Sequence, residues 1–167
     1  MTRRLIIMRH AKSSWSTPGL ADHDRPLNGR GQRSARALGD WLRDKGFLPD
    51  EAVVSSSLRT VQTFEGLNLD VQAQFTPEFY HAGPLTFAER LKSTTGRSVL
   101  FIAHNPGIAE FAHMMTQVPP DHPRFDDYPT GATTVLEFAP NARGEVAFDW
   151  NTGIVVDFIV PRQLLVE

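Results

Sequence analysis

The sequence contains no cysteine among its 167 residues. This absence excludes disulfide bonds, thiolate metal sites and cysteine nucleophiles. No apolar stretch approaches the roughly 20 residues that a membrane-spanning helix needs, and the apolar run at residues 5–8 is too short for a signal peptide. An excess of positive charge is also lacking, because the formal net charge is −2. We therefore expect a cytoplasmic protein that binds neither nucleic acid nor membranes.

The composition is that of an ordinary globular protein, with 41% apolar and 22% charged residues. The length predicts a single domain over residues 1–167.

Short apolar runs alternate with amphipathic segments along most of the chain. The runs predict strands at residues 5–8, 52–54, 71–75, 98–103, 133–138, 146–150 and 154–160. Apolar residues spaced by three or four predict helices at residues 29–45, 58–67, 85–92 and 106–116. Asn105 and Pro106 are the expected N-cap and first residue of the last helix. Residues 151–153 are the expected hairpin turn, and residues 119–129, with four prolines, an irregular loop.

The alternation of strands and helices predicts an α/β fold. We expect three layers, with a doubly wound, mostly parallel sheet, helices on both faces and antiparallel pairing at one edge. Ligands bind beyond the carboxyl ends of the strands in such sheets. The residues that directly follow each strand are therefore the candidates for chemistry.

Basic side chains follow three of the predicted strands. Arg9 and His10 follow the first, Arg59 and a run of serines follow the second, and His104 follows the fourth, at the start of a helix. Each has an ordinary structural explanation by itself, but the fold brings all of them to one edge of the sheet. Arginine forks and a helix N-terminus favour an oxyanion such as phosphate. The other histidines lack metal-ligand spacing.

Four segments, in order, resemble the motifs of the histidine phosphatase, or phosphoglycerate mutase-like, superfamily. They are residues 5–12, 25–31, 55–63 and 101–106, and residues 129–132 are similar to a late element of small members. The short length and the His-Asn-Pro sequence at residues 104–106 most resemble the small SixA-type phosphohistidine phosphatases. Two positions differ from the family pattern: Ala11 replaces a glycine, and Ser16 stands where many members carry asparagine.

The resemblance implies a phosphoglycerate mutase-like fold and a phosphatase in which His10 is the nucleophile. Arg9, Arg59 and His104 would neutralise the phosphoryl oxygens, and Arg25 and Ser16 are the candidate substrate-binding residues. Nearby arginines are expected to lower the pKa of His10, and a backbone carbonyl to hold its second ring nitrogen. We expect no metal and no cofactor, because two arginines and a histidine supply the positive charge.

The leaving group decides the substrate class. Imidazole can leave phosphohistidine without a general acid, whereas an alkoxide benefits from one. Glu78 is the candidate acid, and the alternative for this residue is a solvated loop carboxylate or an ion-pair partner. The leading hypothesis is a phosphatase acting on phosphohistidine of a protein and releasing inorganic phosphate. The alternatives are a phosphomonoesterase for small phosphoesters that uses Glu78, and a phosphate-binding module without turnover.

Overall fold

The computed structural model describes residues 1–165, which form one six-stranded sheet and four α-helices. The strands are β1 (Arg3–Arg9), β2 (Glu51–Ser55), β3 (Ala73–Thr76), β4 (Ser98–Ala103), β5 (Thr133–Phe138) and β6 (Ile154–Ile159). The helices are α1 (Gly29–Lys45), α2 (Leu58–Leu67), α3 (Pro84–Lys92) and α4 (Gly107–Met115). Short 3-10 helices cover Asp22–Asp24, Pro77–Phe79 and Pro161–Gln163.

The strand order of the sheet is β3-β2-β4-β1-β5-β6. The first four strands in this order run parallel, whereas β5 is antiparallel to β1 and β6 is antiparallel to β5. The predicted mostly parallel sheet with antiparallel pairing at one edge is confirmed. The carboxyl ends of β1, β2 and β4 lie side by side at one edge.

Strand β1 is buried on both faces, which explains its continuous apolar run. Leu5 and Ile7 belong to the core that includes Phe87 of α3 and Phe111 of α4. The alternate residues of β1 belong to a second core with side chains of α1 and α2. The helices therefore cover both faces, as a three-layer α/β fold requires. Within residues 1–165, no helix is both long enough and apolar enough to cross a membrane.

The predicted strand at residues 146–150 and the hairpin turn at residues 151–153 are wrong. The first of these segments is irregular, and β6 pairs directly with β5. Phe148 packs against Phe138, with the ring centroids 4.9 Å apart, so its apolar character serves the core rather than a strand. The amide groups of Asn151 and Gly153 donate to carbonyls at the end of α4, at 2.7 and 2.8 Å. These bonds use the backbone groups that a hairpin would need.

The start of α4 also differs from the prediction. Pro106 occupies the N-cap position, and Asn105 lies before it. The side-chain amide of Asn105 donates to the carbonyl oxygens of Asp127 and Tyr128, at 3.2 and 2.9 Å. Asn105 therefore holds the irregular proline-containing loop at residues 119–129 beside the end of β4 instead of capping the helix.

Candidate active site

The parallel pairing of β1 with β4 brings the two predicted histidines together. Arg9 is in register with Ala103, so His10 and His104 follow paired positions. The amide of His10 donates to the carbonyl of Ala103 at 3.1 Å. The two imidazole centroids are 5.2 Å apart, and the residues are only 5% and 7% exposed. The fold therefore brings these two histidines together at the carboxyl ends of neighbouring parallel strands, as expected from the sequence.

The imidazole of His10 is held in one tautomer and kept neutral. Its Nδ1 lies 2.7 Å from the carbonyl oxygen of Ala11, which places the ring proton on Nδ1 and leaves a lone pair on Nε2. Burial lowers the pKa of His10 to about 3, with the charges of Arg9 and Arg59 adding to the effect and the bond to Ala11 opposing it. Neutral imidazole is the form that can attack an electrophile.

His104 is oriented by a serine from the end of β2. Its Nε2 lies 2.8 Å from the hydroxyl of Ser55, which in turn accepts the Ser57 amide at 3.4 Å. The Ser57 hydroxyl lies 3.4 Å from the same nitrogen, so two hydroxyl groups orient the His104 ring through its Nε2. Burial lowers the pKa of His104 to about 2, with His10 and Arg59 as further causes.

Three buried nitrogen atoms of this group have no hydrogen-bond partner among residues 1–165. They are Nδ1 of His104 and the Nε atoms of Arg9 and Arg59. Buried donors are almost always satisfied in folded proteins, so a set of unsatisfied ones indicates a missing acceptor. Burial and the Arg59 charge also lower the pKa of Arg9. The group therefore suits an anion that accepts several hydrogen bonds.

Asp22 is the site residue that the sequence reasoning missed. Its carboxylate accepts from Arg59 Nη2 at 3.0 Å, from Arg25 Nε at 3.1 Å and from the Tyr80 hydroxyl at 2.5 Å. These donors hold the pKa of Asp22 well below its usual range, the Tyr80 bond being the largest cause. Its carbonyl oxygen also accepts from Arg59 Nη1 at 2.7 Å. The one available sequence signal was an acid three residues before Arg25.

Arg25 and Ser16 lie in the loop between β1 and α1. The guanidinium of Arg25 donates to the Ser13 hydroxyl and the Ser14 carbonyl, both at 3.0 Å, and lies 3.5 Å from the ring centroid of Trp15. Ser16 is exposed, and its hydroxyl bonds with that of Ser14 at 2.8 Å. Arg25 thus organises the loop around Asp22, while the contacts of Ser16 stay within the loop.

Glu78 forms no side-chain hydrogen bond or ion pair with these histidines and arginines in the described part of the chain. It is exposed in the 3-10 helix Pro77–Phe79 and lines a shallow groove of about 600 Å³ together with residues of α3. The residue of this segment that reaches the histidines is Tyr80, whose ring centroid is 5.4 Å from that of His104. None of the histidines or arginines described above lines the groove.

Comparison with known proteins identifies the family. The model of the histidine phosphatase superfamily (branch 1) matches residues 5–80. The phosphohistidine phosphatase SixA of Escherichia coli is 30% identical over 111 residues, which cover 62% of this chain and 68% of the relative. The chain belongs to the histidine phosphatase superfamily. It is a phosphatase of that superfamily.

Two further similarities fit this assignment. An uncharacterized chloroplastic protein of Arabidopsis thaliana is 30% identical over 131 residues, or 70% of this chain, and the match spans 60% of that protein's length. The structure described as a putative phosphohistidine phosphatase SixA from Nakamurella multipartitia superposes with a TM-score of 0.82 over 96% of this chain and 97% of the other, at 24% identity. The second similarity establishes the phosphoglycerate mutase-like fold.

Proposed function

We propose that the protein is a metal-independent phosphatase that removes phosphate from phosphohistidine of a protein, through a phosphohistidine intermediate on His10. The observation that carries the proposal is a set of three buried nitrogen atoms without a hydrogen-bond partner among residues 1–165, two of them guanidinium donors, beside a neutral imidazole with a free Nε2. A phosphoryl group supplies both an electrophile for that nitrogen and acceptors for those donors.

The reaction takes place in two displacements at phosphorus. In the first, the lone pair on Nε2 of His10 forms an N–P bond while the bond from phosphorus to the substrate nitrogen breaks. The substrate ring carries a proton on its other nitrogen, so the electron pair stays on a neutral imidazole that leaves. In the second, a water oxygen bonds to phosphorus and the N–P bond to His10 breaks. The water protons pass to solvent and phosphate, and inorganic phosphate leaves.

Arg9, Arg59 and His104 stabilise the charge on the equatorial oxygens during both steps. Phosphoryl transfer is catalysed mainly by positioning and by such charge stabilisation. Two guanidinium groups, together with His104 in the tautomer that carries its proton on Nδ1, supply the donors, which is why no metal is required in the proposal. Arg25 and Ser16 serve substrate binding from the loop, Arg25 through its bond to Asp22.

The position of Glu78 favours phosphohistidine over phosphoesters as the substrate. An alkoxide leaving group gains about 10²–10⁴-fold from a general acid. Glu78 is exposed in a groove with α3, and its carboxylate forms no hydrogen bond with a residue of the candidate active site among residues 1–165. Imidazole leaves without such help, which fits a site whose side chains at the reacting centre are basic or neutral.

Hydrolysis of para-nitrophenyl phosphate and of a histidine-phosphorylated peptide tests the proposal. His10→Gln should lower kcat/KM for both substrates by at least about 10³-fold, as loss of a nucleophile does. His113→Gln is the control, because His113 lies on α4 and bonds to the Phe125 carbonyl. Equal turnover by wild type and His10→Gln contradicts the proposal. Phosphate binding without turnover in the wild type indicates the binding-module alternative.

A further inference from the structure

The guanidinium of Arg9 is held by a single backbone carbonyl. Its Nη1 donates to the carbonyl oxygen of Tyr128 at 3.2 Å. Its Nε is buried and has no hydrogen-bond partner among residues 1–165. The bond to Tyr128 therefore limits how the guanidinium can turn and leaves the Nε–H available to a phosphoryl oxygen.

The same carbonyl oxygen accepts a second bond, from the residue that follows His104. The side-chain Nδ2 of Asn105 donates to the Tyr128 carbonyl at 2.9 Å and to the Asp127 carbonyl at 3.2 Å. A carbonyl oxygen has two lone pairs, so the bonds from Arg9 and Asn105 occupy both of them. Asn105 is thus connected to Arg9 through one shared oxygen atom.

Tyr128 has a backbone conformation that residues other than glycine rarely adopt. Its φ angle is 49°, in the left-handed region. Its side chain is completely buried, and its hydroxyl donates to the Ile7 carbonyl of β1 at 2.6 Å and bonds with the Thr134 hydroxyl of β5 at 2.8 Å. Packing and these two bonds hold the residue in this conformation. Its carbonyl oxygen consequently has a fixed position beside Arg9 and Asn105.

The amide oxygen of Asn105 indicates that the residue does more than hold the loop. This Oδ1 is buried and has no hydrogen-bond partner among residues 1–165. A buried acceptor without a donor disfavours the folded state, and so does a left-handed tyrosine. Both features belong to residues bonded at the oxygen that holds Arg9. Such a concentration of unfavourable local features is typical of functional sites.

We propose that Asn105 is a positioning residue for Arg9. It acts through the Tyr128 carbonyl: the Asn105 amide fixes this oxygen, and the oxygen fixes the guanidinium so that its free N–H groups meet the equatorial phosphoryl oxygens. The inference rests on the proposed function, in which Arg9 stabilises the charge on those oxygens. Donors that are already oriented stabilise this charge without having to turn during the reaction.

Binding of orthovanadate tests the inference, because vanadate presents oxygens to the same donors as a phosphoryl group does. Asn105→Ala should raise the Kd for vanadate by about five- to tenfold in calorimetry, and should lower kcat/KM for para-nitrophenyl phosphate by a similar factor, which is the value of about one hydrogen bond. Asn105→Leu also lacks the donor but keeps the volume, so it should show the same losses. Urea denaturation checks that both variants are folded in the assay.

Two comparisons separate positioning of Arg9 from a general effect on the loop at residues 119–129. His113 also holds this loop, because its Nε2 bonds to the Phe125 carbonyl at 3.1 Å. His113→Ala should nevertheless leave the Kd for vanadate within about twofold of wild type. In an Arg9→Gln background, Asn105→Ala should change the Kd by less than about twofold, because the side chain that it positions is missing.

Three results would overturn the inference. They are a wild-type Kd for vanadate in the Asn105 variants, a loss in His113→Ala as large as in Asn105→Ala, and an undiminished effect of Asn105→Ala in the Arg9→Gln background. Each of them leaves the proposed function intact if para-nitrophenyl phosphate hydrolysis still depends on His10. Hydrolysis that survives His10→Gln would instead remove the proposed function.

Discussion

Replacing His10 with glutamine should make the free energy of unfolding less sensitive to pH between pH 5 and pH 8. Burial keeps the rings of His10 and His104 neutral in the folded protein, with pKa values of about 3 and about 2. In the unfolded chain both rings bind a proton near pH 6.5. Above pH 6.5 these two rings therefore do not reduce the free energy of unfolding. As the pH falls from 6.5 towards the pKa values of the folded state, the free energy of unfolding decreases.

The size of the effect follows from the two ionisation equilibria. At pH 5 the unfolded form of each ring is protonated and the folded form is not, which costs about 2 kcal/mol per histidine relative to pH 8. The residues are 5% and 7% exposed, so solvent weakens this effect little. The pair should account for about 4 kcal/mol of stability lost between pH 8 and pH 5, and His10→Gln should remove about half of that loss.

Urea denaturation followed by circular dichroism at pH 5, 6, 7 and 8 measures this difference. Comparing each protein with itself across pH cancels the cost of the substitution at pH 8. His104→Gln should flatten the profile by a similar amount, and His113→Gln is the control for losing a histidine from α4. A profile of His10→Gln as steep as that of the wild type would refute the account of the buried neutral ring.

Three further substitutions test the surroundings of the histidines. Asp22→Asn removes the carboxylate that Arg59 and Arg25 share. It should destabilise the protein by about 1 kcal/mol at pH 7, because Asp22 is 45% exposed and solvent weakens its bonds. Urea denaturation measures this change, with Asp24→Asn as the control. Ser55→Ala should lower kcat/KM about tenfold, the value of one hydrogen bond to His104, while Ser56→Ala should stay within about twofold of wild type. Glu78→Gln should leave phosphohistidine hydrolysis within about twofold of wild type, and a loss above about tenfold would indicate general-acid catalysis.

Much of the architecture could be predicted because two strong regularities apply to it. The buried run of β4 at residues 98–103 and the amphipathic pattern of α1 at residues 29–45 match the observed bounds. The rule that ligands bind at the carboxyl ends of parallel strands then placed His10 beside His104. Gly31, which belongs to one motif, also has a physical explanation: a Cβ there would lie 2.1 Å from the carbonyl oxygen of Lys12.

The parts that could not be predicted depend on contacts between loops. Asp22 lies in a three-residue 3-10 helix without periodicity, so nothing in the sequence connects it with Arg59 or Tyr80. Asn105 looked like a helix cap because its partner, the carbonyl of Tyr128, is more than 20 residues away along the chain. Patterns within a segment do not encode such contacts.

The most direct test of the phosphohistidine intermediate is to find the phosphate on the enzyme. Wild-type protein is mixed with a phosphorus-32-labelled histidine-phosphorylated peptide, quenched in base within milliseconds, digested and mapped by mass spectrometry. The account predicts an acid-labile phosphoryl group on the peptide that contains His10, at up to one per chain, and none in His10→Gln. A label on another residue, or wild-type turnover without any label on His10, would contradict it.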